Sequence, residues 1–274
     1  MKINKIYIKA ALVGLLFTTV SCNDLVDLKP INEISDADYW KTSDQFKLAA
    51  NEFYTYLRSF SDILNDSPHS DRRADFVFVS GGNAFSNGTN TIPLSDGNWN
   101  SAYSRIRATN YLIEKASTYT QPNDIKQFVA EAKFFRAYTY FDLLQQYGEV
   151  PLITKTLTTT SSELSSPQNS REEIVNFIIQ DIESAITDLP LESAIAASDK
   201  GRVSKGAAQA FLGRVTLYEG TWQKFRGNTA RANTLLDKSI SSNDEVMKSA
   251  LYELFAPTAL GDSAQKYMFI LENQ

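Results

Sequence analysis

Residues 131–154 read EAKFFRAYTYFDLLQQYGEVPLIT. Six aromatic residues fall in a run of helix formers, and the run stops at Gly148 and Pro151. Phe134, Phe135, Tyr138, Tyr140 and Phe141 lie around most of a helix circumference. A helix that is apolar nearly all round is normally buried, and aromatic side chains carry large areas that favour the interior. The run therefore predicts a core helix rather than an aromatic platform for a ligand. It does not read as a membrane span, which needs about 20 apolar residues, because Glu131, Lys133, Arg136 and Asp142 interrupt it. Gly148 can take the left-handed conformation that ends a helix, and Pro151 blocks continuation. Asn123 can cap the start. The inward positions are then Ile125, Phe128, Ala132, Phe135, Tyr140 and Leu143, with Thr139 at the margin.

Outward from this helix the same periodicity recurs. Thr42 and Gln45 fit a capping box, and Phe46, Ala49, Ala50, Phe53, Leu57 and Phe60 follow at helical spacing, predicting a helix over 43–60. Trp99, Tyr103, Ile106, Asn110 and Ile113 predict a second over 99–117. Ser170 and Glu173 fit another capping box, opening a helix to about Leu189 with Ile174, Ile178, Ile182 and Ala185 on one face. Ser204 can cap a fifth helix that carries Ala207, Ala208, Phe211, Leu212, Val215, Tyr218 and Trp222. A sixth covers Ala230 to Ile240, and a short one follows near 244–254. Residues 154–170 read as a Ser/Thr-rich linker. Residues 61–98 read as a long polar loop in which only DFVFV (75–79) looks strand-like. Loops of this length in compact domains are functional or disordered. The fold class is all-α. Shifted by 78 residues, Ala132 matches Ala210, Arg136 matches Arg214 and Tyr140 matches Tyr218, which is the look of tetratricopeptide-like helix-pair repeats with long inserted loops.

The 274 residues suffice for a sizeable core. The formal charge is −5. A mildly acidic chain without a basic block is a poor nucleic-acid binder. One cysteine, Cys22, and one histidine, His69, leave almost nothing for a disulfide, a His/Cys metal site or a Ser-His-Asp triad. No cofactor is implied. The N-terminus reads as an export signal: Lys2, Lys5 and Lys9 precede an apolar run from Ala10 to Val20, too short to span a bilayer. Removing residues 1–21 takes those three from the 27 basic residues, leaving 24 against 32 acidic ones, a formal charge of −8. Val20-Ser21-Cys22 resembles a bacterial lipobox, although Thr19 stands where leucine is commoner. The resemblance implies cleavage before Cys22 and lipidation of that residue. The plainer alternative is an ordinary signal peptide with an incidental cysteine. Residues 22–42 read as a tether docking through Leu25, Leu28, Ile31 and Trp40.

Four stretches together resemble the SusD/RagB family of outer-membrane nutrient-binding lipoproteins. The first is Glu131-Ala-Lys-Phe-Phe-Arg136-Ala-Tyr-x-Tyr140 with Leu143, Tyr147-Gly148 and Val150-Pro151. The second is Cys22 followed by Asp27-Leu28-Lys29-Pro30 and Tyr39-Trp40-Lys41-Thr42. The third is Trp99-x3-Tyr103-x2-Ile106-x3-Asn110. The fourth is Gly201-Arg202-Val203-x3-Ala207-Ala208-x-Ala210-x-Leu212. The resemblance implies a helical scaffold whose loops carry the binding surface. It also implies a non-enzymatic lipoprotein that captures an oligosaccharide, or in some relatives peptides, on the outer face of the outer membrane. Such a protein sits as a lid on a SusC-like TonB-dependent transporter. Family members are typically longer, and this chain stops at KYMFILENQ, where Tyr267 to Leu271 looks like a strand without a partner. The reading is therefore a signal over 1–21, a tether over 22–42, a helical domain over 43–254, and the start of a truncated C-terminal region over 255–274. An alternative is a truncated interaction protein that docks the transporter without binding glycan.

Sugars are held by aromatic faces with Asp, Asn and Arg on the hydroxyls, and loop 61–98 has that composition. The resemblance puts ligand contacts near this loop and the helix after it, which selects Asp71, Arg72, Asn98 and Trp99. Trp99 shares helical spacing with Tyr103 and Ile106, so a core role is open to it. Asp71 and Arg72 are open to a reading as surface charges, and His69 reads as a solvated loop residue. A glycosidase would need a placed pair of carboxylates, and no spacing singles one out.

Overall fold

The structure is a computed structural model that describes residues 36, 39–58, 73 and 82–253. The chain divides between Lys41 and Thr42 into two units. In the first, Trp40 Nε1 donates to Asp36 Oδ1 at 3.0 Å and Tyr39 meets the Trp40 ring edge-on. Leu25, Leu28 and Ile31 of the expected tether lie outside the described residues.

The second unit is built of helices: α1 (Ser43–Phe53), α2 (Gly97–Ala116), α3 (Pro122–Tyr147), α4 (Arg171–Asp188), α5 (Lys205–Phe225) and α6 (Thr229–Lys248). Among the described residues there is no strand. Both capping boxes form, at Thr42/Gln45 and Ser170/Glu173, and Ser204 Oγ accepts from Ala207 N. Each such cap satisfies an amide that the helix cannot. Asn123 is not a cap. Helix α3 starts two residues earlier than that cap would place it, at Pro122, whose fixed φ and missing N–H suit the first helical position. Its end is at Gly148, with φ of 76° and ψ of −114°, a positive-φ conformation outside the left-handed helical basin that glycine tolerates.

Two helix extents differ from the sequence expectation. Helix α1 stops at Phe53 and gives way to a 3₁₀ turn, Tyr54–Tyr56, which leaves Leu57 exposed. The turn lets Phe53, Tyr54 and Tyr56 all pack on Phe135, which a straight helix could not do. The expected break between 240 and 244 is absent, and α6 runs unbroken from 229 to 248. The polar stretch there serves as a close contact. Ser239 Oγ donates to Gly213 O of α5 at 2.8 Å, and Asn243 sits where a Gly213 side chain would be.

Helix α3 is buried nearly all round because neighbours surround it. Phe135 meets α1 and the turn after it; Tyr140 meets Phe177 of α4. Phe134, Tyr138 and Phe141 gather around Phe211 of α5. Helix α4 runs antiparallel to it: Lys133, Arg136 and Tyr140 face Ser184, Asp181 and Phe177 of α4 in turn. Two of the charges that interrupt the aromatic run, Glu131 and Arg136, are buried, each in an ion pair. Arg136 holds Asp181 through Nε at 2.7 Å and Nη2 at 2.8 Å, and donates Nη1 to Asn110. Arg202, from the loop before α5, holds Glu131 through Nε at 3.0 Å and Nη2 at 2.6 Å.

The 78-residue match does not survive in the packing. Ala132 and Arg136 are buried while Ala210 and Arg214 are exposed. Helices α3 and α5 therefore present different faces at the matched positions.

Candidate functional site

The segment read as a linker is a strap pinned to helix side chains. Tyr103 Oη donates to Pro151 O at 2.9 Å, Asn110 Nδ2 to Ile153 O at 2.9 Å, and Arg107 Nη1 to Leu157 O at 2.6 Å. Ile153 N donates to Tyr140 Oη at 2.7 Å. Asn169 closes the far end, accepting from Leu152 N and donating its own N–H to Val150 O. An extended segment has no ladder of its own, so its amides and carbonyls need such partners.

Two clefts open beside the start of α2. The first, about 670 Å³, lies between α2 and the strap. Trp99, Tyr103, Ile106 and Arg107 line one wall; Leu157, Thr158 and Leu164 line the other. Lys155 and Glu163, also at its edge, form an ion pair, and the Lys155 ammonium holds the Glu163 carboxyl below the usual carboxylate range.

The second cleft, about 500 Å³, lies between the loop before α2 and the end of α3. Asp96, Asn98, Gln145, Gln146, Tyr147, Phe85 and Arg73 line it. Asp96 does two jobs. Its Oδ1 caps the Asn98 amide at 2.8 Å, and its Oδ2 accepts from Tyr147 Oη at 2.8 Å. Burial, and then the Asp96 carboxylate, push the Tyr147 hydroxyl above the usual tyrosine range. That hydroxyl and the Asn98 amide hold the Asp96 carboxyl below its usual range. The Arg73 guanidinium lies 3.7 Å from the Phe85 ring centre. Gln145 Oε1 is buried with no hydrogen-bond partner among the described residues.

Trp99 stands between the clefts. Its ring meets Tyr147 edge-on at 5.2 Å and Tyr103 at 5.0 Å. It is half-buried, so it serves as wall and packing at once. Asn98 is exposed and lines the second cleft, while Trp99 lines the first. The two residues, adjacent in sequence, thus face different spaces. Asp71, Arg72, His69 and Cys22 lie outside the described residues. Tyr103, Arg107 and Tyr147 were not singled out as site residues. The four-residue spacing Trp99, Tyr103, Arg107 was available as a signal, since such positions share one flank of a helix.

Residues 36–217 match the SusD-like family model described as "Starch-binding associating with outer membrane". The chain belongs to the SusD-like family. SusD-like protein P38 of Formosa agariphila is 29% identical over 237 residues, covering 81% of this chain and 43% of that protein. A SusD-like protein of Bacteroides ovatus is 27% identical over 232 residues, covering 80% and 41%. Among solved structures, a SusD-like protein from Bacteroides fragilis superposes with a TM-score of 0.62 at 25% identity, covering 84% of this chain and 43% of that one. The chain thus spans less than half the length of these relatives.

Three of the SusD-like sequence signatures meet in space. Asn110 of one binds Arg136 of another, and Glu131 binds Arg202 of a third. Tyr103, Asn110 and Tyr140 jointly hold the strap. These residues build the scaffold, and the clefts are what the scaffold leaves open.

Proposed function

We propose that this SusD-like chain binds oligosaccharide and passes it to a SusC-like TonB-dependent transporter, without catalysing a reaction. The observation that carries the reading is the second cleft, where amide, carboxylate and guanidinium groups sit beside aromatic rings. Hydroxyl-rich rings need that mixture: apolar faces to stack on and convergent polar groups to fix orientation. The family description, starch-binding and associating with the outer membrane, supports the same reading. A glycosidase would require two carboxylates facing one cleft. In the second cleft Asp96 serves as a helix cap and as the acceptor for Tyr147.

In the same proposal residues 1–21 are an export signal, Cys22 carries lipid, 22–42 form a tether and 43–254 the helical domain. The anchor would hold the protein on the outer membrane, facing outward. The test is retention of the full chain, in detergent, on gels containing starch and other neutral polysaccharides. Retardation on at least one, weakened in N98A and in W99A, is the expected result. No retardation on any glycan, with the transporter still co-purifying, would replace this reading with that of a docking subunit.

A further inference from the structure

We propose that the groove between α2 and the strap takes an acidic saccharide, its anionic substituent held by Arg107 while a neighbouring ring rests on Trp99. The inference rests on the glycan-binding reading and narrows its ligand class. Arg107 follows Trp99 by eight residues, about 12 Å along a helix. That distance is longer than one sugar ring, so stacking and charge contacts would fall on different rings of one chain. The aromatic end, Trp99 and Tyr103, offers the flat apolar surface that a pyranose face needs.

Charge accounting singles out Arg107. Three ionised residues line the groove, and two of them, Lys155 and Glu163, neutralise each other. Arg107 forms no ion pair with a carboxylate among the described residues. Its one recorded partner is the Leu157 carbonyl. A guanidinium has five N–H donors, so most of its fork remains open to a carboxylate or sulfate, which it can meet with two parallel hydrogen bonds. The overall formal charge, −5 for the full sequence and −8 without residues 1–21, opposes an anionic ligand only weakly, since exposed charges are screened beyond about 8 Å at physiological salt.

The competing account is that Arg107 merely clamps the strap. The full chain in detergent should be titrated with an oligogalacturonate, a sulfated galacto-oligosaccharide and a neutral malto-oligosaccharide of matched length. At least one acidic probe should bind about tenfold more tightly than the neutral one, with a preference that shrinks as salt rises. R107Q should erase that preference, and R107K should keep part of it. Which acidic probe wins identifies the substituent as carboxylate or sulfate. Equal affinity for acidic and neutral probes overturns this inference and leaves the glycan reading standing. So does an R107Q variant that weakens all probes by one common factor, the signature of a clamp. Failure of every saccharide to bind overturns both.

Discussion

Arg136 joins three helices from one position. Its guanidinium takes both oxygens of Asp181 on α4 and the amide oxygen of Asn110 on α2, and the ion pair is almost wholly withdrawn from water. Asn110 in turn holds the strap through Ile153 O and Lys155 O. Removing one member of such a pair leaves the other charge buried and unpaired, at a cost of about 3–5 kcal/mol. D181A is therefore expected to lose about that much in urea unfolding, and R136K a substantial part of it, because an ammonium cannot reproduce the fork. A loss under 1 kcal/mol for D181A would mean that water reaches the pair. The sequence alone marked Arg136 as an interruption of an apolar run, a match to Arg214 and a part of the family signature, but not as half of an ion pair, since no local spacing links it to Asp181, 45 residues away. Asn98 and Trp99 illustrate the same limit. Their neighbourhood was legible from composition, but which cleft each faces depends on where Tyr147 arrives.

Among the elements, α5 and α6 show how small residues substitute for an apolar stripe. Gly220 faces Leu236: an added Cβ would lie 2.9 Å from its Cγ and 3.3 Å from its backbone N. The backbone atom cannot step aside, so the helices would have to part. G220A should destabilise by about 1–3 kcal/mol from overpacking, offset by up to about 1 kcal/mol of helix propensity. The net loss is measurable by thermal unfolding, and an unchanged or raised Tm would show that the interface is loose. This contact also explains why α6 was misread as two helices. Apolar periodicity marks helices that bury large side chains, and it fell silent where Ser239 and Asn243 pack on Gly213. Where burial was aromatic or aliphatic, as in α3 and α4, extents were readable to within a residue or two.

At the scale of the whole molecule, the helices form one unit because α3 lies between α1, α2, α4 and α5, and that centrality was legible in the aromatic run at 134–141. Among the described residues no helix is long and apolar enough to cross one. If the SusD-like chain sits at the outer membrane, the proposed lipid on Cys22 carries that attachment. Each buried CH₂ contributes about 0.8 kcal/mol, so one acyl chain holds marginally and several hold stably. The argument predicts a sharp phenotype. C22S, expressed in a host that exports and lipidates such proteins, should move from the membrane pellet to the soluble fraction, with its fold unchanged by circular dichroism. The wild-type chain should be extracted only by detergent. Persistence of C22S in the pellet, in cells that lack the transporter partner, would show that protein surface rather than lipid holds the chain, and the anchor reading would fall.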